Sequence, residues 1–415
     1  MSSNDNKEKK FVVKFGGSSL EDSDGISRAA ESIIAEVKKG NKIVVVVSAM
    51  GKTTEQLIKA MKDVVQEQGR YSKELDDILS MGERTSARMF STVLKSRGIK
   101  SQYFDPMRDD WPIITDESYG DAFPILDTCA SKIEAYLKPL LEEGTVPIIP
   151  GFIGRTPSGR ITTIGRGGSD TTAFILGRFL KANEIILVTD VDGIMSADPK
   201  VVSKPQPVKR ISARALAGLS DSGTKFIHKK ALKFKPKNIN VRVISNKYGN
   251  LDSAGTVITG EFQSELDVVK GYQSPMIMAT IVGDRISEHP EIIQNITSYL
   301  RDLGVEMIGM SANHDSLIFY LPDGGNQEIL DKIHKIIIDT KYATAMALKR
   351  NLALLRINGI GLENTPGLIG KITKPFYENR MNIYGIFTIT SSINVLIEWN
   401  DKDKAQNLIT QALKI

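Results

Sequence analysis

Short hydrophobic runs alternate with longer segments of helical periodicity along the first 260 residues of the chain. The runs are strand-length, and several are apolar throughout, which is typical of buried strands. The longer segments carry apolar residues at helical spacing, which predicts amphipathic helices. Strands are predicted at residues 11–15, 42–48, 146–152, 184–188, 241–244 and 256–259, a hairpin at 153–163, and helices at 26–39, 123–141, 171–181 and 212–219. A further long helical pattern is predicted to break at residues 80–84. The alternation predicts the α/β class.

After residue 260 the pattern changes to two successive sets of alternating strands and helices. The first set has strands at 268–272, 277–282, 306–311 and 316–321 and helices at 289–303 and 326–340. The second has strands at 353–359, 382–388 and 393–397 and helices at 367–379 and 402–413. The predicted organisation is a disordered N-terminus at 1–10, a first domain at 11–262, and two small units at 263–348 and 349–415.

The loop Gly165–Asp170, G-R-G-G-S-D, is the strongest candidate for a binding site. Its three glycines let the backbone turn tightly and approach a ligand closely. Ser169 and Asp170 fall at the start of the following predicted helix, where backbone N–H groups favour an anion. A polar helix cap has a similar pattern, but it does not need Arg166, whose planar guanidinium suits a carboxylate.

A second candidate is Lys14, which lies inside the first predicted strand. A lysine in a buried strand is costly unless an anion meets it. Gly16, Gly17 and Ser18 follow the strand and can provide N–H groups for phosphate. The sequence has neither the Walker spacing nor a G-x-G-x-x-G fingerprint, and a simple strand–turn–helix corner stays open as an alternative.

Further polar candidates follow other predicted elements. Ser48 ends the predicted strand at 42–48 and Thr54 follows it, at the carboxyl end of a strand, where open α/β sheets bind ligands; threonines in this setting also cap helices. Glu83 either pairs locally with Arg84 or meets the amino group of a substrate. Lys225 lies beside a glycine turn and has a plain surface lysine as its alternative.

Composition narrows the class of ligand and the compartment. With 415 residues, 41% of them hydrophobic and 25% charged, the chain is expected to form more than one domain with ample core. A formal net charge of +5 spread along the chain favours small anionic ligands over nucleic acid. No membrane span or secretory signal is predicted, and the single Cys129, expected to be buried, suggests a reducing, cytoplasmic compartment. Four scattered histidines lack ligand spacing, so no protein metal site is predicted.

Six blocks, in this order, resemble the aspartate kinases of the amino-acid kinase fold: K-F-G-G-S-S, V-V-S-A-M-G-K-T-T, M-G-E-R, G-R-G-G-S-D-T-T-A, T-D-V-D-G-I and G-T-K-F-I-H. The resemblance implies a mainly parallel central sheet between helices, with ATP and an amino acid bound at the carboxyl ends of the strands. The two C-terminal units resemble ferredoxin-like ACT domains, which implies an amino-acid effector and a homodimer or larger even assembly. Family precedent also suggests that the strand near Val268 joins the second unit, with the first inserted in it.

The resemblance implies transfer of the ATP γ-phosphoryl group to the side-chain carboxylate of L-aspartate, giving 4-phospho-L-aspartate, the first step of lysine, threonine and methionine biosynthesis. That carboxylate has a reference pKa near ~3.9, so it needs no general base. Mg²⁺ is expected to arrive on ATP. The implied catalytic residues are Lys14, Asp170 and Lys225; the substrate-binding residues are Ser48, Thr54, Glu83, Arg166 and Ser169; the nucleotide-binding residues are Lys14, Gly16, Gly17, Ser18, Thr189, Asp190, Met195, Lys200, Lys225 and Phe226.

Three positions depart from the family pattern. Met195 stands where tyrosine is common, Lys200 where arginine is frequent, and Lys229 where proline is usual. These changes leave the nucleotide preference open. Two other functions also stay open, namely a glutamate-type amino-acid kinase and a noncatalytic amino-acid sensor.

Overall fold

The computed structural model describes residues 8–65, 71–198, 201–221, 227–262, 267–324, 327–359, 362, 365–389 and 392–413. The chain divides into two compact units, Met1–Gln263 and Ser264–Ile415. Among the helices in these ranges, none is both long enough and apolar enough to cross a membrane.

The first unit is built on an eight-stranded sheet, in the order β3-β4-β2-β1-β7-β9-β10-β8. The neighbouring strands are parallel except for the antiparallel pair β9 and β10. The strands are β1 (Lys10–Phe15), β2 (Lys42–Val47), β3 (Ser101–Tyr103), β4 (Val146–Pro150), β7 (Glu184–Thr189), β8 (Arg210–Ser212), β9 (Asn240–Ser245) and β10 (Thr256–Thr259). A separate antiparallel hairpin joins β5 (Ile153–Arg155) to β6 (Ile161–Thr163). The predicted α/β class and the hairpin are confirmed.

Helices cover both faces of this sheet. They are α1 (Ser23–Lys38), α2 (Thr53–Val64), α3 (Ser72–Ser96), α4 (Leu126–Lys132), α5 (Lys138–Glu142), α6 (Gly168–Leu180), α7 (Ala213–Asp221) and α8 (Lys229–Leu232). A π-helical turn at Ile133–Leu137 connects α4 to α5. Apolar side chains of α1 and α3 form one core with alternate residues of the strands, and those of α4, α6, α7 and α8 form the other.

The strand β1 lies near the middle of the sheet, between β2 and β7. Its residues alternate between the two cores, with Val12 in the core on the α6 side and Val13 in the core on the α1 side. Lys14 therefore faces the same side as Val12, toward α6. The chain continues from β1 to β2 on one side and later returns to β7 on the other, so the strand order reverses at β1. Open α/β sheets bind ligands at such points, at the carboxyl ends of the strands.

Two of the differences between the predicted and the observed helices of the first unit bear on the candidate site. The predicted break at residues 80–84 is wrong, because α3 runs without interruption through Gly82. A Cβ at Gly82 would lie 2.8 Å from the Cβ of Ala49, so the glycine allows α3 to pack closely against the segment after β2. Helix α6 starts at Gly168, three residues before the predicted start, which places Ser169 and Asp170 in its first turn.

The second unit contains a seven-stranded sheet in the order β13-β14-β12-β15-β17-β16, with β11 paired to β15. Its elements are β11 (Asp267–Lys270), β12 (Met276–Val282), α9 (Pro290–Asp302), β13 (Gly309–Asn313), β14 (Ser316–Pro322), α10 (Gln327–Asp339), β15 (Ala345–Asn358), α11 (Leu368–Glu378), β16 (Gly385–Ile389), β17 (Ser392–Glu398) and α12 (Lys402–Leu413). Helices α9 and α10 share one core, and α11 and α12 share another.

The long strand β15 connects the two halves of this sheet. It starts eight residues before the predicted strand, pairing first with β12 and then with β17. The early strand β11 pairs with the end of β15, in the register Val268↔Ile357, and Val268 packs in the core formed by α11 and α12. The first ACT-like half is therefore inserted between β11 and the rest of the second, as family precedent suggests.

Candidate active site

The centre of the site is an ion pair between Lys14 on β1 and Asp170 in the first turn of α6. Lys14 Nζ lies 2.7 Å from Asp170 Oδ1, and only 16% and 13% of the two side chains are exposed. Each charge compensates the burial of the other, which explains how a lysine is tolerated inside a central strand. The structure thus brings together two of the residues that the sequence predicts to be catalytic.

The turn after β1 packs directly against the turn after β2. The amide N–H of Gly51 donates to the carbonyl of Gly17 at 3.0 Å. A Cβ at Gly17 would lie 2.8 Å from the carbonyl oxygen of Ala49, so this approach is restricted to glycine. The N–H of Gly16 is already bonded to the carbonyl of Val188, while Ser18 is exposed. Gly16 therefore holds the turn against β7, and its predicted contact with phosphate stays a prediction.

Hydroxyl groups from two other elements adjoin this turn. Ser48 follows β2, and its Oγ donates to Ser169 Oγ on α6 at 3.1 Å. Ser169 also packs against Gly151, the residue after β4, where a Cβ would lie 2.8 Å from that of Ser169. Thr54 is half-buried at the start of α2. Two predicted substrate-binding residues, Ser48 and Ser169, are thus in contact.

Glu83 is a buried carboxylate without a full set of partners. Only 3% of the residue is exposed, and its Oε2 atom has no hydrogen-bond partner in the described part of the chain. Burial raises the pKa of Glu83 to about 7, whereas the N–H of Ala49 opposes this rise by donating to the carboxylate. Arg84 pairs instead with Asp105, at 3.1 Å, so the local Glu83–Arg84 pair is not formed. A buried acceptor without a donor is typical of a ligand-binding position.

The loop between β6 and α6 holds Arg166 between two glycines in the left-handed region. Gly165 has a φ of 79° and Gly167 a φ of 77°, conformations that other residues rarely adopt. Arg166 is exposed and makes no ion pair or hydrogen bond with the described residues. Its guanidinium is therefore available to a ligand. The charge of Arg166, together with burial as the larger cause, lowers the pKa of His228.

The predicted nucleotide side is described only in part. Thr189 ends β7, and its hydroxyl donates to the exposed Asp190 carboxylate at 3.0 Å. Met195 is half-buried and forms a bridge with Pro207. The remaining predicted residues on this side, Lys200, Lys225 and Phe226, lie outside the described residues. Their predicted roles stay predictions.

Sequence reasoning missed a structural carboxylate on the same helix as Glu83. Asp76 is 1% exposed and accepts hydrogen bonds from the N–H of Gly120 at 2.9 Å and from the N–H and hydroxyl of Thr163 at 2.8 and 2.7 Å. It ties α3 to the end of β6, immediately before the Arg166 loop. Asp76 lies two helical turns before Glu83, so the sequence already places both carboxylates on the same face of this helix.

Phe152, after β4, was also missed. It is a rare non-glycine residue with a positive φ, 69°, and it packs against Gly168 at the start of α6. Such backbone conformations cluster at functional sites.

The arrangement suits an anionic ligand on one side and an amino acid on the other. A buried ammonium, Lys14, faces the start of a helix, where phosphates bind favourably. An exposed guanidinium and a buried carboxylate offer opposite charges to the two ends of an amino acid. Among the described residues, no group of three or more histidine, cysteine, aspartate or glutamate side chains is arranged to hold a metal ion.

Comparisons with known proteins agree with this description. The model of the amino acid kinase family matches residues 9–245. The aspartokinase of Geobacillus stearothermophilus is 30% identical over 396 residues, 94% of this chain and 93% of the relative. The aspartate kinase from Synechocystis has a TM-score of 0.77 at 24% identity, over 98% of this chain and 69% of that one. E. coli aspartokinase III, solved with aspartate and ADP, has a TM-score of 0.54 at 22% identity, over 98% and 100%.

The two solved structures show the same fold, and the matched family model covers more than half of the chain. The chain therefore belongs to the amino acid kinase family, and within it to the aspartokinases.

Proposed function

We propose that the protein is an aspartate kinase, transferring the γ-phosphoryl group of ATP to the side-chain carboxylate of L-aspartate. The observation that carries the proposal is the buried carboxylate of Glu83, whose Oε2 atom has no hydrogen-bond partner among the described residues. The ammonium group of an amino acid supplies the missing donor and charge. The relatives named above, aspartokinases over most of their length, support the same reaction.

The chemistry requires positioning and charge neutralisation rather than a base. The aspartate side chain is ionised at neutral pH, since its reference pKa is ~3.9, and attacks the γ-phosphorus directly. Lys14 neutralises charge on the phosphate oxygens and is held in place by Asp170. Lys225 joins it in this proposal, from outside the described residues.

The two ends of the substrate and the nucleotide are assigned to separate groups. Arg166 binds the α-carboxylate, Glu83 binds the ammonium, and Ser48, Thr54 and Ser169 orient the substrate with their hydroxyls. The turn at Gly17 and Ser18 receives the phosphates, and Thr189, Asp190, Met195, Lys200 and Phe226 line the nucleotide. Mg²⁺ enters as part of the MgATP substrate.

An acceptor comparison tests the reaction directly. Aspartate-dependent release of ADP from MgATP is expected to exceed the glutamate-dependent rate by at least about two orders of magnitude, because one extra methylene displaces the attacking carboxylate from a fixed site. Equal rates with glutamate would support the glutamate-type kinase. Saturable aspartate binding without any ADP release would support the sensor.

Replacing Arg166 by alanine is expected to raise the KM for aspartate by about one to two orders of magnitude, because a charge-assisted bidentate contact is lost, with a smaller effect on kcat. Steady-state kinetics at saturating MgATP measure this change. Arg178→Ala, at an exposed position near the end of α6, the helix that follows the Arg166 loop, is the matched control and should keep the wild-type KM. Wild-type kinetics in Arg166→Ala would remove the assignment.

The second unit supports two further proposals. Its two ACT-like halves are inferred to bind an amino-acid effector and to pair between chains in an even-numbered assembly. A structural role in dimerisation without an effector is the alternative. Activity measured with each end-product amino acid, together with the mass in solution, separates these cases.

A cytoplasmic location is a separate proposal, which rests on the single buried Cys129 of the first unit.

A further inference from the structure

A second buried lysine, Lys230 on the short helix α8, lies next to the Arg166 loop. The residue is 7% exposed, and its ammonium group is surrounded by oxygen atoms. Nζ lies 2.5 Å from Asp121 Oδ1, 2.6 Å from the carbonyl of Ile164, and 3.1 and 3.2 Å from the carbonyls of Asp121 and Ala122. It also lies 4.4 Å from the centre of the Phe123 ring. An ammonium has three donors, so this environment satisfies it fully.

The acceptors of Lys230 belong to the two segments that fix the Arg166 loop. Ile164 is the residue directly before Gly165, and its N–H donates to the carbonyl of Phe152 at 2.8 Å. Since Lys230 binds the carbonyl of Ile164, both backbone polar groups of this residue have partners, and the peptide that leads into Gly165 is fixed. Asp121 covers the loop, because a Cβ at Gly165 would lie only 2.5 Å from Asp121 Oδ1.

The helix that carries Lys230 also contacts the other end of the loop. A Cβ at Gly167 would lie 2.7 Å from the Cβ of His228 and 3.4 Å from that of Ala231. The loop therefore has little room to change its backbone once Lys230 has joined α8 to Ile164 and Asp121. The side chain of Arg166 projects from the only residue between Gly165 and Gly167.

We propose that Lys230 is a positioning residue for substrate binding: its ammonium group anchors the Arg166 loop so that the guanidinium is held ready for the α-carboxylate of the amino acid. The inference rests on the proposed function. Lys230 itself touches neither substrate nor nucleotide in this account. It acts through Arg166, and its loss raises the entropy cost of ordering the loop when the substrate binds.

Lys235 provides a matched control for simple loss of stability. It is also buried, 3% exposed, and its Nζ donates to the carbonyls of Pro236, Ile239 and Gly260 at 2.9, 2.9 and 2.5 Å. Neither Lys235 nor these three acceptors belong to the Arg166 loop. A variant at Lys235 thus loses a comparable carbonyl-bound ammonium away from the site.

The test is a split between kinetic parameters at saturating MgATP. Lys230→Met is expected to raise the KM for aspartate about tenfold while kcat and the KM for ATP change less than about threefold. Lys230→Arg should recover part of the loss, because it keeps cationic donors. Lys235→Met should keep the wild-type KM for aspartate. An equal rise in both methionine variants, or no rise in a folded Lys230→Met, would overturn the proposal.

Two further variants keep the test decisive if Lys230→Met does not fold. Asp121→Asn changes a carboxylate whose side chain is 69% exposed, and it is expected to raise the KM for aspartate about threefold. Asp252→Asn is the control: it changes the exposed ion-pair partner of Lys39 and should leave this KM unchanged. In an Arg166→Ala background, Asp121→Asn should add less than about twofold, since both act through one guanidinium. An unchanged KM in Asp121→Asn, or full additivity, would contradict the proposal. Absence of aspartate-dependent turnover in the wild type would instead refute the proposed function.

Discussion

Replacing Lys14 by methionine or Asp170 by asparagine is expected to lower kcat by about 10²–10³, because the cation that neutralises the transferring phosphate is lost or misplaced. The two residues form one ion pair at 2.7 Å, so their effects should not add. The double variant is therefore expected to be no slower than the worse single variant. Single-turnover and steady-state assays with aspartate and MgATP measure both effects.

Stability should fall in both single variants as kcat does, but the double variant should differ from them in stability and not in kcat. Each single variant leaves a largely buried group without its partner, at a cost of about 1–3 kcal/mol in the free energy of unfolding. The double variant should recover most of that loss while its kcat stays low. Restored activity in the double variant would contradict a catalytic role for the pair.

The ion pair between Glu184 and Arg242 is the matched control. Its atoms lie 2.7 Å apart, with 22% and 16% of the side chains exposed, and Glu184 opens β7 at the end of the sheet opposite the site. Glu184→Gln should therefore lower stability to a similar extent while kcat stays at the wild-type value. A fall in kcat there would show that the assay reports general destabilisation.

Replacing Glu83 by glutamine is expected to remove the pH dependence of aspartate binding. Burial raises the pKa of Glu83 to about 7, so the free enzyme loses the binding carboxylate as the pH falls below that value. In the wild type, kcat/KM for aspartate should fall about tenfold per pH unit below about pH 7, while kcat changes less because the bound ammonium keeps Glu83 ionised. Glu83→Gln should show a low, flat profile at saturating MgATP.

The same substitution should stabilise the ligand-free protein at alkaline pH. The folded-state pKa of Glu83 is raised from 4.5 to about 7, so the folded state binds the proton more tightly than the unfolded state. Below pH 4.5 the carboxyl is protonated in both states, and its ionisation does not lower the free energy of unfolding. Above about pH 7 it is charged in both states, and the burial of this charge lowers the free energy of unfolding by up to about 3 kcal/mol. Glu83→Gln should therefore gain stability at pH 8, and the gain should disappear toward pH 4.5.

Asp76→Asn is the control for the pH profile of kcat/KM, because it removes a buried carboxylate that is not assigned to aspartate binding. Asp76 is a carboxylate on the same helix, and burial raises its pKa too, but hydrogen bonds from Thr163 and Gly120 satisfy it. The variant should lose stability and keep the inflection of kcat/KM near pH 7. Loss of that inflection in Asp76→Asn, or its survival in Glu83→Gln, would show that the titrating group is not Glu83.

The elements that carry the site could be predicted because local sequence determines them. The apolar run of β1 requires burial, the single Lys14 within it requires an anion, and the glycines around Arg166 require an unusual backbone. Each of these is a property of a few consecutive residues. The prediction failed at Gly82, where low helix propensity suggested a break but close packing against Ala49 favours a continuous helix.

Contacts between distant segments could not be predicted in the same way. Lys230 and Lys235 lie among several lysines that give the appearance of a charged surface, yet both are buried and bound by carbonyl groups. The spacing of Asp76 from Glu83 places both on one face of α3, but it does not show that Asp76 is bound by Thr163 and Gly120. Only the fold shows which of these charges have partners, because those partners come from other elements.

Formation of an acyl phosphate on aspartate is the most direct test of the central claim. The purified protein is incubated with aspartate, MgATP and hydroxylamine, which converts an acyl phosphate to a stable hydroxamate. We expect the aspartate hydroxamate and ADP in equal amounts from the wild type, and both to form about 10²–10³ times more slowly with Lys14→Met. Saturable binding of aspartate and MgATP by the wild type with no hydroxamate formed would contradict the proposed function.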